Sequence, residues 1–190
     1  MSEPVFTTAN VLTLLRMGMV PFLIILVLQA DYTAAFVVFV VAGVTDALDG
    51  IMARRQHQLT RLGAILDPLA DKLLLATSFI ALTWAGGLQV RIPQWLTVLT
   101  LSRDVLIVIT ALAIVIAVGR RVFQPSRFGK LTTALQVGAA GAVLLANALG
   151  QHLPGLGVLF VVTGALTVVS GCHYVWLAYT GRNAAAEAGS

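Results

Sequence analysis

Residues 156–179 read LGVLFVVTGALTVVSGCHYVWLAY, and neither Asp, Glu, Lys nor Arg occurs among them. A predominantly apolar run longer than about 18 residues without a charge is long enough for a helix to cross a bilayer's hydrocarbon core. Gly, Thr and Ser inside such a run do not break it, because small and hydroxylated residues let spanning helices approach and hydrogen-bond one another. This run therefore reads as a transmembrane helix, and the rest of the chain can be tested for others like it.

Working backwards, comparable runs occupy roughly 10–29, 33–53, 64–85, 94–118 and 129–150. Turn signals separate several of them: Gly86-Gly87 with Pro93, Gly119 with Pro125, and Gly150 with Pro154 and Gly155. The 190 residues are 58% hydrophobic and only 11% charged, against about 45–50% and 25% in soluble domains. The expectation is an all-α integral membrane bundle of six transmembrane helices. It forms one membrane domain over residues 1–182, followed by an Ala/Gly-rich tail, 183–190, read as disordered. The N-terminus has no basic residue, and Arg16 interrupts the apolar run that follows, so a removable signal peptide is a poor reading.

Loop charge sets the expected orientation. Arg54, Arg55 and Arg61 lie between the second and third spans, Arg120, Arg121, Arg127 and Lys130 between the fourth and fifth, and Arg182 after the sixth; the other side has Arg91. Both termini and these loops are accordingly expected on the cytoplasmic side, of a bacterial inner membrane. The net charge of +4 then faces anionic lipid headgroups, and no nucleic-acid partner is expected. A single cysteine, Cys172, excludes an intrachain disulfide, and three scattered histidines give no zinc spacing. His57 reads as a solvated loop residue. Gly129-Lys130 is not a P-loop, because Leu131 stands where Ser or Thr is required.

The acidic residues are unevenly placed. Of eight, Asp46, Asp49, Asp67, Asp71 and Asp104 fall in or at the ends of expected spans, where a charge costs about 2.5–3.5 kcal/mol at mid-membrane. Asp46 and Asp49 are three residues apart, and Asp67 and Asp71 four, so each pair shares a helix face. The second and third spans are expected to be antiparallel neighbours, which lets the pairs meet near the cytoplasmic end. Four oxygen donors without Cys or His suit a hard divalent cation, Mg²⁺ or Mn²⁺ with Ca²⁺ as a further occupant. Two such ions about 3.5–4 Å apart would polarise a phosphoryl group, making phosphoryl-type transfer the leading chemistry. Gly50 and Ala53 leave room for a bulky ligand, and Arg54 is a natural phosphate partner. Alternatively, Asp67 and Pro68 could be an N-cap with Pro at the first helical position, and Arg55 and Arg61 could serve topology alone.

The pattern Asp46-x2-Asp49-Gly50-x2-Ala53-Arg54-x8-Gly63-x3-Asp67-x3-Asp71 resembles, at every fixed position, the signature of the CDP-alcohol phosphotransferase family. The resemblance implies six membrane helices and transfer of the phosphatidyl group of CDP-diacylglycerol to an alcohol, releasing CMP. It further implies that the four aspartates hold two divalent metals, that Asp71 is the general base, and that Gly50, Ala53, Arg54 and Gly63 line the CMP moiety. A homodimer is also typical of the family.

The acceptor is narrowed by three shorter stretches. Asn10-Val11-Leu12-Thr13-Leu14-Leu15-Arg16 resembles the opening of the phosphatidylglycerophosphate and cardiolipin synthase branch, and Asn10 and Thr13 could face the donor. The bland reading is helix entry plus a snorkelling Arg16. Ser102-Arg103-Asp104 looks like the motif of eukaryotic-type cardiolipin synthases, whose acceptor is phosphatidylglycerol. A second basic residue, frequent in the glycerol 3-phosphate branch, is absent from Ala111-Leu112-Ala113. The Gly-Lys-x-x-Thr stretch from Gly129 to Thr133 resembles both branches. Arg103 and Lys130 are the acceptor-binding candidates, although Arg103 could instead simply pair with Asp104. Gly138, Ala139, Ala140 and Gly141 permit close helix contact, within the subunit or across the dimer. From a different class, a divalent-cation transporter or channel could use the same carboxylates.

Overall fold

The computed structural model describes the backbone of residues 8–56, 63–118 and 127–187, and side-chain surroundings for 15–45, 72–110 and 129–176. These backbone segments form six helices: α1 (Thr8–Leu28), α2 (Tyr32–Gln56), α3 (Gly63–Trp84), α4 (Gln94–Val118), α5 (Arg127–Leu149) and α6 (Leu156–Glu187). No strand occurs among the described residues. Each expected span therefore has its helix. Two segments, Gly129–Leu149 and Leu156–Trp176, are long and apolar enough by length and composition to cross a membrane among the described residues. Shorter apolar stretches occupy Leu15–Leu28, Tyr32–Thr45 and Lys72–Trp84.

Two boundaries differ from expectation. α6 continues to Glu187, into the stretch read as a disordered tail, and the Ala-rich sequence there has high intrinsic helix propensity. α3 begins at Gly63, so Asp67 and Pro68 lie inside the helix and the N-cap reading of Asp67 is set aside. A proline at that depth removes one i→i−4 donor and strains the preceding turn. Extending the helix back to Gly63 keeps Asp67 and Asp71 on one regular face.

The contacts divide the chain into two compact units, residues 1–92 with 140–154, and 93–139 with 155–190. In the first, α1 packs against both α2 and α3. Its core is apolar: Leu23 and Val27 of α1, Phe39 of α2, Phe79 and Leu82 of α3, and Val143 and Leu144 of α5 are all buried. Gly141 admits the Phe39 ring, which would lie 3.5 Å from a Cβ at that position.

Turn chemistry closes this unit. At the end of α1, Asp31 N–H donates to Leu26 C=O at 3.0 Å and Ala30 N–H to Val27 C=O at 3.1 Å, the paired bonds of a Schellman stop. Ala30 holds the left-handed position, with φ 60°, that Gly usually fills. Asp31 then caps α2, its Oδ1 accepting from Ala34 N–H at 3.1 Å. Asn147 of α5 locks the chain between α3 and α4: its Oδ1 accepts from Gln89 N–H at 2.8 Å and Val90 N–H at 3.2 Å, and its Nδ2 donates to Val90 C=O at 2.8 Å.

In the second unit α4 packs on α6, and the burial pattern is inverted. Thr97, Thr100 and Arg103 of α4, Thr132 and Gln136 of α5, and Thr163, Thr167 and Ser170 of α6 are all buried. Val98, Val105, Val108, Val161, Val168 and Trp176 are exposed. Spacings of three and four place each buried polar set on one helix face. Buried hydroxyls satisfy themselves locally, as where Thr163 and Thr167 donate to the carbonyls of Leu159 and Thr163 at 2.7 Å. Polar faces turned inward and apolar faces outward are the arrangement that lipid favours and water opposes.

Candidate active site

Asp46, Asp49, Gly50, Ala53 and Arg54 all lie within α2, and Gly63, Asp67 and Asp71 within α3. The helical backbone is continuous through both groups, so each aspartate pair has the expected i,i+3 or i,i+4 placement. The side-chain surroundings of all these residues lie outside the described residues. The donor set fits a hard divalent cation by its chemistry: carboxylates alone, with no thiolate or imidazole among the fixed positions of the pattern. No cluster of metal-ligating side chains is found among the described residues.

Asn10 and Thr13 fall inside α1, which starts at Thr8, and their side chains too lie outside the described residues. Three positions further on, Arg16 is 3% exposed. Its side chain is thus enclosed by the protein rather than snorkelling to a surface.

The acceptor candidates are described in full. Arg103, 8% exposed, donates from Nη1 to Asp104 Oδ1 at 2.8 Å and from Nη2 to Ser170 Oγ at 2.9 Å. The pairing with Asp104 that the sequence left open is therefore present, and the guanidinium charge has its counter-ion beside it. Lys130 is exposed on α5, and Thr133 turns its hydroxyl back to Gly129 C=O at 3.1 Å. Thr132, next to it, is buried and donates to Leu166 C=O at 3.3 Å. Of this motif, Lys130 alone among the described side chains presents a charge outward.

Ser170 was not anticipated as a partner of Arg103. A signal existed: Thr163, Thr167 and Ser170 recur at helical spacing in a span otherwise apolar, and a polar face on such a helix points to a protein neighbour.

The family model for CDP-alcohol phosphatidyltransferase matches residues 6–177, a range that includes all of α1 to α5 and most of α6. The chain belongs to the CDP-alcohol phosphatidyltransferase family. It is 35% identical over 173 residues to a probable phosphatidylglycerophosphate synthase of Mycobacterium tuberculosis, covering 88% of this chain and 79% of that protein. It is 31% identical over 186 residues to a CDP-diacylglycerol--glycerol-3-phosphate 3-phosphatidyltransferase of Bacillus subtilis, covering 89% and 93%. A cardiolipin synthase (CMP-forming) of Rattus norvegicus is 43% identical over 107 residues, covering 56% of this chain and 34% of that protein. As a family of transferases, CDP-alcohol phosphatidyltransferases give the transporter reading no support.

Proposed function

We propose that the protein is a membrane-embedded transferase of phospholipid biosynthesis that passes the phosphatidyl group of CDP-diacylglycerol to a glycerol-type alcohol and releases CMP. The family match carries this reading, together with the two aspartate pairs held at helical spacing on α2 and α3. The acceptor is glycerol 3-phosphate, giving phosphatidylglycerophosphate, or phosphatidylglycerol, giving cardiolipin. The relatives' names supply both.

The acceptor's hydroxyl oxygen attacks the phosphorus that carries the diacylglycerol, forming the new P–O bond. The bond from that phosphorus to the bridging oxygen breaks, and CMP departs with the oxygen and its electron pair. Asp71 takes the hydroxyl proton, which requires hydrogen-bond reach to the acceptor. Asp46, Asp49, Asp67 and Asp71 would hold two divalent cations, which when bound polarise the phosphoryl group and neutralise charge on the leaving phosphate. Gly50, Ala53, Arg54 and Gly63 bind the CMP moiety, with Asn10 and Thr13 facing the donor. Lys130 supplies the cation for an acceptor phosphate.

The inverted burial of the second unit supports placing the chain in a membrane. All six helices span it in this reading, in a bacterial inner membrane, with the active site and both termini cytoplasmic and the chain a homodimer. The test is to incubate purified protein with labelled CDP-diacylglycerol and each alcohol separately, with Mg²⁺ present, and to identify the lipid product. CMP release with one glycerol-type alcohol is expected. CMP release with neither would reject the reading.

A further inference from the structure

Arg16 lies on α1 in the first unit and is 3% exposed. Its level in that unit follows from the helix ends. α1 ends at Leu28, and α2 begins at Tyr32, whose hydroxyl donates at 3.3 Å to Gly86 C=O, just past the end of α3. Ile24 and Leu28 of α1 line one groove together with Ile80 and Trp84 of α3, so these two helices run side by side in one direction, with Leu28 level with Trp84. Counting back from that level at about 1.5 Å per residue, Arg16 comes opposite Val44 on α2 and Lys72 on α3. Asp46 and Asp71 are two residues and one residue from those positions, within about 3 Å along the helix axis.

The helix faces agree with the levels. Arg16 is on the buried side of α1 with Leu23 and Val27. The buried stripe of α2, at Ala35, Phe39 and Ala42, reaches positions 46 and 49 by the same steps of four and three. That of α3, at Leu82, Ser78 and Leu75, reaches position 71. α1 packs against both helices. A guanidinium keeps its proton, and a buried one requires an anion beside it. Apart from the four aspartates of α2 and α3, the acidic residues of this unit are Asp31, which caps α2 at its other end, and Glu3, ahead of α1. Asp46 and Asp71 are the carboxylates at the level of Arg16.

We propose that Arg16 is a positioning residue of the carboxylate cluster: in the metal-free chain its guanidinium is the counter-ion of Asp46 and Asp71, and it competes with divalent cations for their oxygens. The proposal rests on the metal-binding reading of the cluster given above. Because the guanidinium can give up those oxygens only by moving, never by losing its proton, it weakens cation binding while holding the empty site together against the mutual repulsion of its carboxylates. An arginine that served packing alone would do neither.

The test is Mn²⁺ affinity, followed by electron paramagnetic resonance on the purified full chain in non-ionic detergent. Arg16→Gln is expected to bind Mn²⁺ at least about fivefold more tightly than the wild type, the lower end of ordinary coupling between two ligands. Arg16→Lys, which keeps the charge, should bind as the wild type does. Equal or weaker binding by Arg16→Gln would overturn the proposal. Without metal, Arg16→Gln should unfold at a lower temperature than the wild type, and adding Asp46→Asn to it should raise the midpoint again, because one of the crowded charges is gone. If Arg16→Gln alone does not fold, the double variant decides: folding supports the pairing, and failure to fold overturns it. Mn²⁺ uptake by the wild type with unchanged affinity in Arg16→Gln would sink the Arg16 assignment alone. A wild type that takes up no Mn²⁺ would sink the metal-binding reading and this proposal with it.

Discussion

Arg103 shows how a charge is kept inside an apolar helix pair: its neighbour in sequence balances it, and a hydroxyl from the facing helix completes a second bond. Removing the balance leaves a buried cation without its counter-ion, which costs about 3–5 kcal/mol. Asp104→Ala is therefore expected to lower the chain's thermal midpoint in detergent far more than Asp31→Ala, which removes only an exposed helix cap. Equal shifts would count against the pairing. Asp71→Asn should keep the fold and lower CMP release by about 10²–10⁴, the usual contribution of a general base. Near-normal turnover in that variant would remove Asp71 from the role. At this scale the sequence reading went as far as chemistry that recurs at fixed spacing. It identified the aspartate pairs and left Arg103 between two roles, because which partner a guanidinium chooses depends on the residue facing it from α6, a contact that chain order does not give.

The helices were legible because apolar runs here stop at Gly and Pro, the residues that cannot continue a helix cheaply. Where other residues do that work, the signal vanished. Ala30 takes the left-handed position after α1, and nothing in its side chain announces a stop. Ala30→Gly is expected to stabilise the chain by about 0.5–1 kcal/mol by relieving that conformation, read as a raised midpoint of thermal unfolding; a lowered midpoint would contradict the turn described. Asn147 is similarly silent in sequence, since an isolated Asn in an apolar helix has many uses. In the fold it holds three backbone groups of the α3–α4 connection, so Asn147→Ala should destabilise by about 1–3 kcal/mol through the stranded donors. Ala-rich residues without a long apolar face look disordered in isolation, but here they extend a helix that tertiary packing has already nucleated.

For the molecule as a whole, the distribution of polarity matters more than its amount. The second unit buries threonines, Gln136 and Arg103 while exposing valines and Trp176, and such a surface is stable against hydrocarbon and prone to association in water. Composition alone pointed to a membrane protein. It did not reveal that the polar residues inside the helices would gather on the facing sides of α4 and α6, because that follows from helix rotation.

The transferase account rests on carboxylates of α2 and α3 gripping divalent ions, and Mn²⁺ binding followed by electron paramagnetic resonance on the purified chain tests it most directly. The account expects about two Mn²⁺ taken up per chain, with EDTA stripping both metal and CMP-forming activity and Mg²⁺ restoring the latter. It also expects binding to be lost in the variant with Asp46, Asp49, Asp67 and Asp71 all changed to Asn. Mn²⁺ uptake unaffected by those four substitutions, or full activity in EDTA, would contradict it.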